Sequence, residues 1–252
     1  MGGAQVLIVS VDGAIASGKT TLIKRVVDHL EWPVVVAKEP VEQWAQSGLL
    51  DEMYKAITRR NEQKAAGCAI TDDDGMPGMF QVYAFSTRLG EFAPRYREAQ
   101  ELARRTDGPV VLITERSVYS DRAIFKHMLQ EAGYITDVQS RVYDGCFEAW
   151  ERVTERCRPD VAVWLDTPPD ACMQRQKQRA RHEEDALFDV DSEARAYANA
   201  LHKRHVQVFE GGEFEGAPVL RLDGRSRFRD EDQVLQGLAL AVSGAVKEVI
   251  GK

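Results

Sequence analysis

An apolar run from Val6 to Val11 leads into Gly13-Ala14-Ile15-Ala16-Ser17-Gly18-Lys19-Thr20, and helical periodicity follows at once in Leu22, Ile23, Val26, Val27 and Leu30. Strand, a loop of the form G-x-x-x-x-G-K-[ST], then helix is the context that makes this motif specific. The glycines allow backbone N–H groups to turn inward around phosphate oxygens, and the helix N-terminus adds partial positive charge. Lys19 is then expected to reach the β and γ phosphates, and Thr20 to ligate Mg²⁺. The expected ligand is ATP or another nucleoside triphosphate.

Further short β-branched runs recur at Val34 to Ala37, Val110 to Ile113, Val161 to Leu165 and Val219 to Leu222. Each is too short for a helix, and segments with helical spacing lie between them, as in Val234, Leu235, Leu238, Val242 and Val246 after the last. The expectation is α/β: a five-stranded parallel sheet flanked by helices. Two long segments, Phe80 to Arg105 and Thr136 to Arg156, exceed what a crossover needs and are expected to pack on each other or on a second subunit. Asn61 to Gly78 carries Gly67, Asp72-Asp73-Asp74, Gly75, Pro77 and Gly78, and reads as an inserted mobile loop.

The 252 residues suffice for one domain with a large core. With 33 Lys+Arg against 40 Asp+Glu, the net charge of −7 argues against a nucleic-acid partner, which requires a basic surface. No run approaches the roughly 18 apolar residues of a membrane helix. Cys68, Cys146, Cys157 and Cys172 form no C-x-x-C pair and fit reduced thiols. A cytoplasmic location without membrane attachment is expected. Neither an N-K-x-D tetrad nor a strand-end D-x-x-G is present, which argues against a guanine-nucleotide switch.

Lys38-Glu39-Pro40 and Thr114-Glu115-Arg116-Ser117 each end a strand, at the sheet edge where open α/β folds bind ligands. A carboxylate there can take the proton of an attacking hydroxyl, which suits Glu39. Glu115 can associate with Mg²⁺, and Arg116 can pair with Glu39 and stabilise the transferring group. After the fourth strand, Arg175 and Arg179 share a helical face, followed by Arg181 and His182-Glu183-Glu184-Asp185. An arginine-bearing lid suits phosphoryl transfer, where the protein contributes position and charge neutralisation.

In this order the strings resemble the deoxynucleoside kinases, the group holding deoxycytidine and deoxyguanosine kinases and the insect broad-specificity enzyme. The matching strings are Gly13 to Thr20, Glu39-Pro40-Val41 with Trp44, Leu50 to Tyr54 and Phe80-Gln81 through Arg88. They continue in Glu115-Arg116-Ser117 with Tyr119 to Arg122, Arg179-Ala180-Arg181, and Leu222-Asp223 leading to Phe228. Nearly the whole chain is covered except 61–79. The resemblance implies a P-loop kinase fold in a single domain over 1–252, with a lid at about 175–191. It implies 5′-phosphorylation of a deoxynucleoside with Glu39 as general base and Arg116, Arg179 and Arg181 as catalytic. Arg175, Arg179 and Phe228 would hold the nucleotide donor, and Thr20 and Glu115 the metal. Tyr54 and Glu184 would hold the sugar 3′-hydroxyl, Gln81 would read the base, and Trp44, Phe80 and Phe125 would wall it. Arg88 and Asp121 form the charged pair of members that take deoxycytidine and deoxypurines, so thymidine is expected to be disfavoured. A homodimer is implied as well. A thymidine-preferring kinase, a thymidylate-type kinase and a non-catalytic subunit of the same fold stand as alternatives.

Overall fold

The computed structural model describes residues 5–68, 75–154, 156–179, 191–225 and 232–250. Its sheet has the order β2-β3-β1-β4-β6-β5. The central strand β1 (Val6–Asp12) lies between β3 (Val110–Glu115) and β4 (Val161–Asp166), and β2 (Val34–Ala37) borders β3. All of these pair in parallel, as does β6 (Ala217–Asp223) with β4. The five expected strands are thus present, joined by a sixth, β5 (Glu213–Phe214), which pairs antiparallel with β6. Two residues carry no readable periodicity, so this hairpin edge escapes a pattern argument.

Alternation along the central strands sorts the core into two layers. Leu7, Val9 and Val11 meet Leu22, Ile23 and Val26 of α1 (Lys19–Val26) and Val242 and Val246 of α10 (Asp232–Ile250). Val6 and Ile8, with Val110 and Leu112, face Ala99 and Ala103 of the opposite layer. That layer is built on α4 (Met76–Thr106), a helix of 31 residues that continues through Pro94.

Between β2 and α4 run α2 (Val41–Gln46) and α3 (Leu49–Ala65). The chain expected to be loop from Asn61 is therefore helical to Ala65 and helical again from Met76, with 69–74 outside the described residues. Gln, Lys and Ala are good helix formers, and they extend α3 beyond its apolar stripe. After β3 a helical stretch begins as α5 (Val118–Ser120), widens into a π-turn at Asp121–Lys126 and returns as α6 (His127–Glu131). α7 (Asp137–Val153) opens on a reciprocal capping box between Thr136 and Gln139 and packs against α4. α8 (Pro169–Arg179) and α9 (Asp191–Phe209) pack together beyond β4. Val138 and Val142 of α7 and Met79 of α4 are all more than half exposed.

Candidate active site

The phosphate loop joins β1 to α1 at the carboxyl edge of the sheet. Gly13 has φ 151°, and a Cβ there would stand 2.7 Å from Leu165 O and 2.8 Å from Ser17 Oγ, so only glycine fits. Gly18 precedes the helix at φ 107°. Lys19 is buried and turns back along the loop, donating to Ala14 O at 3.0 Å and Gly13 O at 3.4 Å. Burial, reinforced by the neighbouring Arg116 charge, lowers its pKa to about 8. Backbone carbonyls satisfy an ammonium that phosphate oxygens would satisfy better.

Glu39 stands just past β2 and accepts from two guanidinium groups, Arg88 at 2.6 Å and Arg116 Nε at 3.1 Å. Burial pushes its carboxyl up, but Arg116, Arg88 and Lys19 together hold it well below the usual carboxylate range. Arg116 also donates to Gly13 O at 2.5 Å and lies over the Phe125 ring at 4.6 Å, on a backbone with φ 64°. The expected Glu39, Arg116 and phosphate-loop cluster is thus one bonded unit.

Arg88 reaches it from the middle of α4. It pairs with Asp121 at 3.4 Å, touches Glu115 O at 3.5 Å and lies 4.9 Å over Trp44. Asp121 sits at the start of the π-turn and accepts from Tyr143 Oη at 3.0 Å. Burial raises the Asp121 carboxyl against the pull of Arg88. Trp44 is fixed by a 2.7 Å donation to Thr87 Oγ1 and meets Phe80 edge-on at 5.6 Å. Tyr54 is buried in the same cluster as Trp44 and Phe80. Gln81 is buried, and among the described residues its Oε1 has no hydrogen-bond partner. An orphaned buried amide oxygen calls for a donor that the described residues do not supply.

On the nucleotide side, Thr20 Oγ1 donates to Glu115 Oε1 at 2.8 Å. A hydroxyl and a carboxylate are hard oxygen donors suited to Mg²⁺. Among the described residues no group of three or more His, Cys, Asp or Glu could hold a metal unaided. Arg175 donates to Ser17 O at 2.7 Å and to Gly224 O at 2.8 Å, bracing the phosphate loop against the end of β6. Thr167 Oγ1 joins the same brace through Ser17 O at 3.1 Å. Arg179 ends α8, while Arg181, Glu184 and Phe228 lie outside the described residues.

The family model for deoxynucleoside kinases matches residues 9–61 and 79–247. The chain belongs to the deoxynucleoside kinase family. It is a kinase, and its sheet and phosphate loop form the P-loop kinase fold. Among relatives of this deoxynucleoside kinase, the probable deoxycytidine kinase of fowlpox virus (strain NVSL) is 33% identical over 225 residues, covering 88% of this chain and 81% of its own. Deoxycytidine kinase 2 of Gallus gallus is 29% identical, covering 88% of this chain and 84% of its own. The deoxyadenosine/deoxycytidine kinase of Bacillus subtilis (strain 168) is 24% identical, covering 85% and 81%.

Three residues, Asp12, Tyr143 and Thr167, escaped the sequence reading. Asp12 left only a faint signal, a charged residue ending an apolar run. Tyr143 gave none, being one aromatic on an amphipathic helix. Thr167 and Gly224 meet only through sheet pairing: a Cβ on Gly224 would come within 1.8 Å of Thr167 Oγ1.

Proposed function

We propose that this kinase transfers the γ-phosphoryl group of ATP to the 5′-hydroxyl of deoxycytidine and deoxypurine nucleosides, with thymidine disfavoured, as a homodimer acting in nucleotide salvage in the cytoplasm. The buried Arg88–Asp121 pair carries this reading. A carboxylate accepts from an exocyclic amine and a guanidinium donates to a ring nitrogen or carbonyl; Arg88 lies over Trp44, whose ring meets Phe80, and shares α4 with the buried Gln81. The names of the three relatives favour the same substrates.

Chemically, Glu39 takes the 5′-hydroxyl proton while Arg116 and the lid arginines Arg175, Arg179 and Arg181 neutralise the equatorial oxygens. Bonded to two guanidinium groups, Glu39 is a weak base, which suffices for a loose transition state in which proton transfer comes late. Its larger contribution is orientation of the hydroxyl. Thr20 and Glu115 would hold Mg²⁺, whose charge offsets that of the phosphates. Tyr54 and Glu184 would hold the 3′-hydroxyl, and Phe228 the donor base. The exposed stripe of Val138, Val142 and Met79 supports a dimer through α4 and α7.

Initial rates with Mg-ATP and each of the four deoxynucleosides or dTMP, at matched subsaturating concentrations, test the substrate reading. Deoxycytidine or a deoxypurine should lead. A lead by thymidine would refute the role given to Arg88 and Asp121, and reaction of dTMP alone would refute the nucleoside acceptor. Glu39→Gln should lower kcat by about a hundredfold or more with nucleoside binding retained; near-normal kcat would remove Glu39 as the base.

A further inference from the structure

On the α4 face of the sheet, the positions that follow Val6 and Ile8 on β1, and Val110 and Leu112 on β3, are Ser10, Asp12, Thr114 and Arg116. That face turns from apolar to polar as it nears the phosphate loop. Asp12 is fully buried, and among the described residues neither carboxylate oxygen has a hydrogen-bond partner. Ser10 Oγ and Thr114 Oγ1, register partners, are also buried without a partner among the described residues. Leaving a carboxylate so is costly, and such a group persists where it serves a site.

The charges that act on Asp12 are those of Arg116 and Lys19, and the neighbouring hydroxyls are those of Ser120 and Ser10. Burial pushes its carboxyl above the usual range against their pull. Arg116 N–H donates to Val11 O at 3.0 Å, so the β-ladder sets Arg116 abreast of Asp12. Arg116 also holds a left-handed backbone, strained for a residue with a Cβ, and its guanidinium is drawn forward to Glu39 and Gly13 O.

We propose that Asp12 is a positioning residue for phosphoryl transfer that acts through Arg116, its charge behind the guanidinium holding Arg116 between Glu39 and the phosphate loop. The inference rests on the reading of Arg116 as a transfer residue. It explains why a second carboxylate is needed: once Glu39 accepts the hydroxyl proton it stops compensating Arg116, and Asp12 still does.

Asp12→Asn keeps the shape and removes the charge. The expected result is kcat lowered tenfold or more, with KM for deoxynucleoside and ATP within threefold. Tm should be unchanged or higher, since a structural role would lower it. Arg116→Lys is measured in parallel, and adding D12N to it should cost less than a further twofold, because both act through one guanidinium. If D12N fails to fold, Asp12→Ser takes its place in the same cycle. A D12N or D12S enzyme within twofold of wild-type kcat overturns the proposal, as does a double variant whose losses multiply. If R116K alone keeps full rate, the reading of Arg116 fails and this inference with it; if R116K is slow and D12N is not, this inference alone fails.

Discussion

Lys19 is an ammonium stored in the wrong place until a nucleotide arrives. Burial beside Arg116 brings its pKa to about 8, so it is still charged at neutral pH and loses its proton just above. The free enzyme should bind Mg-ATP progressively more weakly above pH 8, by up to tenfold per pH unit, measured as Kd in titrations from pH 7 to 9.5. A flat profile would contradict the depressed pKa. Stability moves the opposite way. The unfolded chain, with lysine near 10.5, holds more protons than the folded one between about 8 and 10.5, so relief of the buried charge raises stability across that window. Tyr143 illustrates a different kind of dependence. It orients Asp121, so Tyr143→Phe should lower kcat/KM for deoxycytidine by about tenfold, the worth of a hydrogen bond to a charged group. Thymidine turnover should change little, and equal losses for both nucleosides would show Tyr143 to be a general scaffold residue. Lys19 and Glu39 were legible because the motif and the strand end specify them locally. Tyr143 was not, because the partner of its hydroxyl is 22 residues away across a turn.

Strand ends and helix starts bring these groups together, and here local rules carried far. The ends of β1, β2 and β3 supply Asp12, Glu39 and Arg116 because parallel strands all present their carboxyl ends at one edge. Where the local rule failed, the winding itself was irregular: the π-turn at Asp121–Lys126 belongs to no hydrophobic period. The brace between α8 and β6 shows how elements are joined without a core. Gly224 N–H donates to Asp166 O at 2.8 Å and its carbonyl accepts from Arg175, while Thr167 fills the space where a side chain would stand. Gly224→Ala should push these apart and raise KM for ATP by about tenfold, roughly 1.4 kcal/mol, leaving KM for the deoxynucleoside near wild type. Steady-state kinetics with each substrate varied in turn checks this; an unchanged KM for ATP would make the brace incidental.

Taken whole, the molecule divides its labour by layer. The α1–α10 face is apolar as far as Glu115, which meets Thr20 at the site, while the α4 face gives way to charge earlier, with Arg88 entering from the middle of a 31-residue helix. The outer sides of α4 and α7 leave Met79, Val138 and Val142 exposed. If these bury against a second copy, Val142→Asp should convert a species of twice the 28.3 kDa protomer mass into a monomer. Sedimentation equilibrium reads this directly; a wild-type monomer would refute the dimer.

Glycines with defined spacing, apolar runs too short for helices and carboxylates at strand ends are features of contiguous chain. They determine the phosphate loop, the parallel sheet and the position of Glu39 before any packing is known, because a backbone turn and a side-chain alternation are local geometry. The sharing of Glu39 between Arg88 and Arg116, the Tyr143 bond to Asp121 and the unpartnered carboxylate of Asp12 are pairings between elements far apart in the chain. Register, helix packing and the π-turn set those distances, and the loss of water around the buried groups sets their energies.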